Sequence, residues 1–171
     1  LAGVEISKVF RPAVFRPSKS EHRSIREATQ RLRKTQLHLF DSSSLTPADI
    51  RAECQAIQAS GSLAMVVVDY LQLVPTSRND KGANREQVVA GVSRDLRALA
   101  LELDIAVVAL SQLNDQGFCR ESRAISHDAT MAVDIGKDGL TIIKSRNGPK
   151  GMLLPITFKG RWMHFVEADA E

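Results

Sequence analysis

LAMVVVDYLQL, residues 63–73, contains an apolar run that ends on an acidic residue, Asp69. A short run without charges is typical of a strand that is covered on both faces in a parallel sheet, so we predict a strand over residues 65–68. Ligands of parallel sheets bind beyond the carboxyl ends of the strands. Asp69 lies at such an end, where a carboxylate can hold the magnesium of a nucleotide, mostly through water.

A second apolar run, IAVVAL over residues 105–110, predicts the neighbouring strand and is followed by Ser111 and Gln112. Between the two runs, a helix is predicted because Asn84 and Gln87 have the form of a capping box and apolar residues follow at helical spacing. These apolar residues are Val88, Val92, Leu96, Leu99 and Leu103. Strand, helix and strand in this order indicate a right-handed parallel βαβ unit.

Such a unit would bring Asp69 and Gln112 to one crevice. A glutamine amide there can hydrogen-bond a terminal phosphate or the water that attacks it. An acid and an amide that simply end two strands would give the same spacing, so the residues alone leave both interpretations open. The sequence contains no G-x-x-x-x-G-K-[ST] loop to cradle phosphates, and it therefore indicates part of a nucleotide-dependent machine.

Further elements are predicted on both sides of the βαβ unit. Upstream, Thr46 is the expected N-cap of a helix that ends before Gly61, and a second helix carries the apolar residues Ile25, Ala28 and Leu32. Residues 37–40 have the composition of a strand. Downstream, a polar loop over 114–128 precedes short antiparallel strands, which are predicted at residues 140–143, 152–158 and 162–166.

The composition is ordinary for one globular domain, with 171 residues, 43% hydrophobic residues, 25% charged residues and a net charge of +3. No apolar stretch approaches the roughly 20 residues that span a bilayer, so no membrane partner is expected. Cys54 and Cys119 match no metal-ligand spacing and suit a reducing compartment, so we expect a cytoplasmic protein. No His, Cys or acidic cluster has the spacing of a metal site.

The first forty residues are the most basic part of the chain. Their cations include Arg23, Arg26, Arg31, Arg33 and Lys34. A solvated helix face and a nucleic-acid contact are the two interpretations of such a cluster.

Five blocks of sequence stand in a characteristic order: DSSSLTPADIRAECQAI at 41–57, VVVDYLQL at 66–73, the helix and strand at 84–114, KSRNGPKG at 144–151 and TFKGRW at 157–162. Together they resemble the C-terminal motor domain of the DnaB family of replicative DNA helicases. The resemblance implies an α/β fold: a fragment of a RecA-like P-loop NTPase core, with a mostly parallel sheet, helices on both faces and an antiparallel C-terminal edge.

The resemblance also implies a division of the single partial motor domain. Residues 1–45 would be a helical lead-in, 46–113 the βαβ region with the Walker B strand, 114–139 a shortened DNA-channel loop region, and 140–171 the closing strands.

By this resemblance, four residues take part in ATP hydrolysis. Asp69 would be the Walker B acid that organises magnesium, and Gln112 the glutamine that senses the nucleotide. Lys144 and Arg146 match the family's K-x-R positions, which act on the ATP of the neighbouring subunit in a ring. From the residues alone, the last two are also explained as exposed cations beside a turn.

Arg120 and Glu121 match the start of the family's R-E-S-G loop, which contacts the backbone of single-stranded DNA. The family's glycine is replaced by Arg123. Arginine there can either add a phosphate contact or prevent the close backbone approach that glycine allows.

The resembled family uses ATP and Mg²⁺, and its phosphate-binding loop lies upstream of the point where Leu1 aligns. We therefore expect the 171 residues alone to be inactive as an ATPase. As part of a longer chain they would belong to a hexameric helicase that unwinds duplex DNA at the replication fork. Its partners would be single-stranded DNA, the other subunits, and primase and a loader through regions absent here.

Two alternatives remain at this point. A non-catalytic, truncated relative would bind helicase subunits as an adaptor or inhibitor. Another RecA-type ATPase, of the recombination or clock kind, is disfavoured because DYLQL and KSRNGP together are typical of the DnaB family.

Overall fold

The computed structural model describes residues 2–42, 44–76, 84–112 and 122–167. Its helices are α1 (Ile6–Phe10), α2 (Lys19–Arg33), α3 (Pro47–Ser60), α4 (Arg85–Leu103) and α5 (Ser122–Asp128). Its strands are β1 (Met65–Val68), β2 (Ala106–Ala109), β3 (Met131–Gly136), β4 (Gly139–Ser145), β5 (Leu153–Leu154), β6 (Ile156–Lys159) and β7 (His164–Glu167). A 3-10 turn, Leu71–Leu73, follows β1.

The chain divides into two compact units. The βαβ unit comprises residues 41–132 and 144–148, and the terminal unit comprises residues 1–40, 133–143 and 149–171. The division of the chain into one motor domain with four segments stays a prediction.

The predicted parallel βαβ unit is confirmed. β1 and β2 pair in parallel, with Met65 opposite Ala106 and Val68 opposite Ala109. Helix α4 connects the two strands in sequence and packs against β2 and the turn after β1. Helix α3 packs against α4, so both helices bury apolar side chains of this unit.

The core of the βαβ unit forms around α4. Val89, Val92, Leu96 and Leu99 of this helix are buried together with Cys54 of α3, Val68 of β1 and Leu71. The four helix residues recur at intervals of three and four, which places them on one face. Half-buried apolar residues that pack around this cluster include Val66, Val107 and Ile125.

The N-caps fix where the two helices of the unit begin. Thr46 forms a capping box with Asp49, whose N–H donates to Thr46 Oγ1 at 3.2 Å and whose carboxylate accepts from Thr46 N at 2.9 Å. Asn84 caps α4 in a simpler way, because its Oδ1 accepts from Glu86 N at 3.0 Å. The predicted reciprocal pair with Gln87 is therefore replaced by a single cap bond one residue earlier.

One face of the β1–β2 pair carries exposed apolar side chains. Met65 is 54% exposed, Val67 is 59% exposed, and Val108, the partner of Val67, is 42% exposed. Side chains of a strand alternate between its faces, and only the face with Val66, Val68 and Val107 reaches the core. Covering on both faces was expected, but α3 and α4 cover one face only.

The tail of the chain has the predicted antiparallel pairing. β4 pairs with β5, and β6 pairs with β7 from Ile156 opposite Glu167 to Lys159 opposite His164. The α/β fold class with an antiparallel C-terminal edge is thereby confirmed. β3 is a further strand beside β4, in a region for which we had predicted no strand.

Two local predictions are wrong. Residues 37–40 form no strand, and Leu37, Leu39 and Phe40 are exposed; a β-prone run needs a partner strand, and none of the described strands pairs with it. Residues 122–128, predicted as loop, form α5.

The terminal unit is held near its N-terminus by ion pairs. Lys8 of α1 donates to Glu21 of α2 at 2.7 Å, and Glu21 also accepts from the Ser18 N–H at 2.7 Å as half of a capping box. Glu5 forms an ion pair with Arg161. None of the described helices is long and apolar enough to cross a membrane.

The core model predicts different effects for two leucines of α4. Leu99 is 1% exposed and Leu101 is 74% exposed. Leu99→Ala should lower the free energy of unfolding by about 3 kcal/mol because it leaves a cavity. Leu101→Ala should change it by less than about 0.5 kcal/mol. Urea unfolding followed by circular dichroism measures both, and equal effects would contradict the proposed core.

The pKa of Glu21 predicts a stability change at acid pH. The hydrogen bonds from Lys8 and the Ser18 backbone lower the pKa of this carboxyl from 4.5 to about 2. The ionised form is thus favoured in the folded chain, so its stabilisation is present above pH 4.5 and is lost as the pH falls towards 2. Glu21→Gln should flatten the pH dependence of the melting temperature in this window. Glu27→Gln on the same helix is the matched control and should leave that dependence unchanged.

Candidate functional site

The carboxyl ends of β1 and β2 lie side by side and are tied together by main-chain hydrogen bonds. Leu110 N donates to Val68 O at 2.9 Å, and Leu71 N donates to Leu110 O at 2.9 Å. The two segments that leave the sheet therefore stay next to each other after the regular pairing ends. Residues that follow the strands are brought to one edge, as expected for parallel strands.

A shallow cavity of about 340 Å³ lies at this edge and is lined by Asp69, Tyr70, Leu110, Ser111 and Gln112. The structure thus brings the predicted acid and the predicted amide together. Both side chains are exposed to solvent. The peptide bond between Asp69 and Tyr70 is cis.

The donor set of this cavity fits a magnesium ion that keeps most of its water. Asp69 is the carboxylate among the lining residues, and Mg²⁺ is commonly bound by one or two carboxylates together with phosphates and water. No group of three His, Cys, Asp or Glu residues that could hold a metal occurs among the described residues. A metal here would therefore depend on phosphate oxygens as well as on Asp69.

Gln72 is a residue of this edge that sequence reasoning missed. Its Nε2 donates to Ser111 Oγ at 2.9 Å and to Gln112 O at 3.3 Å, and its Oε1 accepts from Gln112 N at 3.4 Å. The only local signal in the sequence is an amide between two leucines. Its partners lie some forty residues downstream, which is why the sequence does not reveal its role.

Lys144 lies on β4 and is bound to its own chain. Its ammonium donates to Ser126 O and, at 2.9 Å, to His127 O, both in the last turn of α5. Arg97 of α4 adds a hydrogen bond to Asp128 O at 3.2 Å. The last carbonyls of a helix lack partners within the helix and carry partial negative charge, so two cations stabilise this end of α5.

Arg146 is the second residue of the predicted K-x-R pair, and its side chain is exposed. Its main-chain N–H donates to Thr130 O at 3.0 Å. Neither Arg146 nor Lys144 is among the residues that line the cavity at Asp69. The predicted site residues therefore form two separate groups within the βαβ unit.

The predicted DNA contacts are only partly within reach of the structure. Arg120 and Glu121 lie outside the described residues. Arg123 belongs to α5, but its side chain is also outside what is described. Their role stays a prediction.

The basic face of α2 lies in the terminal unit. A second shallow cavity, of about 390 Å³, is lined by Lys19, Ser20, His22, Arg23 and Arg26. Arg23 forms an exposed ion pair with Glu27 at 3.6 Å. Exposed pairs of this kind contribute little to stability, and the choice between a solvated face and a nucleic-acid contact stays open.

Comparison with known proteins identifies the family. A sequence model for the "DnaB-like helicase C terminal domain" matches residues 2–167. The replicative DNA helicase DnaB of Geobacillus stearothermophilus is 35% identical over 157 residues, which is 78% of this chain and 34% of the relative. That of Haemophilus influenzae is 36% identical over 157 residues, 77% of this chain and 33% of the relative.

Solved structures show the same fold. A DnaB-like replicative helicase, studied with its interactions with primase, has a TM-score of 0.84 and 24% sequence identity; the match covers 98% of this chain and 46% of that one. A separately solved ATPase domain has a TM-score of 0.83 and also 24% identity, and 67% of it is covered. These neighbours are RecA-like ATPase domains, which confirms the predicted architecture.

The chain spans about a third of the length of the curated relatives it matches. The family model, by contrast, covers nearly all of the chain. On these grounds the chain belongs to the DnaB-like helicase C-terminal domain family.

Proposed function

We propose that this chain is the later part of the motor domain of a replicative DNA helicase, which hydrolyses ATP to unwind duplex DNA as a ring. The observation that carries the proposal is that Asp69 and Gln112, from two neighbouring strands, line one cavity. Membership of the DnaB-like family supports it. In this proposal the protein is cytoplasmic, and the 171 residues act as one part of a motor domain.

The chemistry at this edge follows from the two side chains. Magnesium, when bound with ATP, would supply positive charge that neutralises the phosphate oxygens. Asp69 would hold the water shell of that ion, and the Gln112 amide would donate to a terminal phosphate oxygen or orient the attacking water. The chain lacks a G-x-x-x-x-G-K-[ST] loop, so we propose that the 171 residues alone do not hydrolyse ATP.

Lys144 and Arg146 are proposed to serve the ATP site of the neighbouring subunit. Cations supplied across an interface stabilise charge on the transferring phosphoryl group, and this links hydrolysis to subunit contact. Arg120, Glu121 and Arg123 are proposed to contact the phosphates of single-stranded DNA. Primase and a loader are proposed partners of the whole protein. A non-catalytic adaptor or inhibitor is the second candidate, and none of the described residues favours it.

The role of Asp69 is tested in the natural gene product that contains these residues. Asp69→Asn should lower ATP hydrolysis about 10²- to 10³-fold, because the carboxylate that holds the cation is lost. Folding and ring assembly should remain as in the wild type.

Asp95→Asn removes the same charge from an exposed position of α4 and is the matched control. The isolated 171-residue chain serves as the negative control and should release no phosphate. Hydrolysis at wild-type rate in Asp69→Asn would overturn the proposal.

The role of Lys144 in trans gives a second prediction. Lys144→Met should lower hydrolysis at least about a hundredfold, because a cation at the phosphoryl group is lost. Lys137→Met, in the exposed turn between β3 and β4, is the matched control and should keep full activity.

Mixed rings separate action in trans from the local contact with α5. In a ring that mixes Lys144→Met with Asp69→Asn subunits, an intact Lys144 from one subunit meets an intact Asp69 of its neighbour. Phosphate release should therefore reappear in the mixture, although each variant alone is inactive. A mixture that stays inactive would show that Lys144 does not act across the interface.

A further inference from the structure

Gln72 bridges the two segments that leave the sheet. Its amide group meets both main-chain groups of Gln112: Nε2 donates to Gln112 O at 3.3 Å, and Oε1 accepts from Gln112 N at 3.4 Å. A third bond, from Nε2 to Ser111 Oγ at 2.9 Å, extends the contact. A carboxamide is the side chain that offers a donor and an acceptor side by side, as a main-chain peptide does.

The turn that carries Gln72 is firmly anchored. Leu71, the preceding residue, is 1% exposed and belongs to the core cluster. The turn is closed by Leu73 N to Tyr70 O at 3.0 Å and Val74 N to Leu71 O at 3.1 Å. Gln72 is therefore held on a fixed base that begins three residues after Asp69.

Gln112, in contrast, follows the end of β2 and is exposed. Its main-chain N–H and C=O are both engaged by the Gln72 amide. The direction in which a side chain points depends on the position of its own main chain. The Gln72 contact thus acts on the orientation of the Gln112 side chain at the cavity.

We propose that Gln72 is a positioning residue: it holds the main chain of Gln112 so that the Gln112 amide faces the cavity beside Asp69. This inference rests on the proposed function and deepens it. Gln72 is not among the residues that line the cavity, so it acts through Gln112 and not on the substrate. A shift of Gln112 towards a bound phosphate would pull on Gln72 and the turn Leu71–Leu73.

Two variants test the bridge. Gln72→Met keeps the length of the side chain and removes its donor and acceptor. Gln72→Glu keeps the acceptor for Gln112 N and places a second carboxylate oxygen against Gln112 O, where a donor is required. Gln58→Met is the matched control, because Gln58 also donates to a main-chain oxygen, Leu103 O at 3.1 Å, in the same unit.

The first measurement is hydrogen–deuterium exchange by mass spectrometry on the natural gene product, read on peptides that contain the Gln112 amide. Gln72→Met and Gln72→Glu should exchange this amide about three- to tenfold faster than the wild type, the change expected for one lost hydrogen bond. Gln58→Met should match the wild type. Unchanged exchange at Gln112 in both Gln72 variants would overturn the proposal, whatever the nucleotide chemistry.

The second measurement uses Mg²⁺–ADP as the probe and steady-state ATP hydrolysis as the activity. In the wild type, ADP should slow exchange both at Gln112 and in the turn Leu71–Leu73; in Gln72→Met the response of the turn should be lost. The value of kcat should fall about tenfold while KM for ATP changes less than about twofold, the pattern of a lost transition-state contact.

The outcomes separate the two proposals. If exchange at Gln112 rises in Gln72→Met but kcat and the response of the turn to ADP stay as in the wild type, while Asp69→Asn is inactive, Gln72 is not a positioning residue and the proposed function stands. If Asp69→Asn is fully active, the proposed function fails. A melting temperature close to that of the wild type for either Gln72 variant shows that the comparison concerns folded protein.

Discussion

The parallel pairing of β1 with β2 is the interaction on which the rest of the βαβ unit depends. Four residues of each strand are in register, and two further hydrogen bonds, between Val68 and Leu110 and between Leu110 and Leu71, continue the contact beyond the regular strands. Parallel strands cannot be joined by a tight turn, so a long connection is required. Helix α4 is part of that connection, and its buried face forms most of the core.

Much of this unit is predictable because its local signals agree with its tertiary contacts. Thr46 and Asn84 mark the starts of α3 and α4 by side-chain chemistry alone, and two short apolar runs give the two strands. The meeting of Asp69 and Gln112 then follows from strand order. Helix α5 could not be predicted in this way: its sequence, SRAISHD, has little apolar periodicity, and its end is stabilised by Arg97 and Lys144, which are distant in sequence. The same holds for Gln72, whose partners are set by the fold.

The exposed face of the β1–β2 pair shows the limit of reasoning from composition. The apolar runs are equally apolar on both faces, which is typical of strands buried on both sides. In the described residues, helices cover one of these faces, and Met65, Val67 and Val108 remain exposed on the other. A sequence pattern reports the burial that a strand is suited to, whereas the amount of chain packed around it decides the burial it has.

Lys144 carries one positive charge, and at the end of α5 that charge is already engaged by two carbonyl oxygens. Any anion that recruits this ammonium must compete with the helix end for it. The affinity of such an anion and the order of the last turn of α5 are therefore linked, since the same cation cannot fully satisfy both. Because α5 begins directly after the segment with Arg120 and Glu121, this single lysine makes the chemistry at a phosphate and the conformation of that neighbouring segment two readings of one equilibrium.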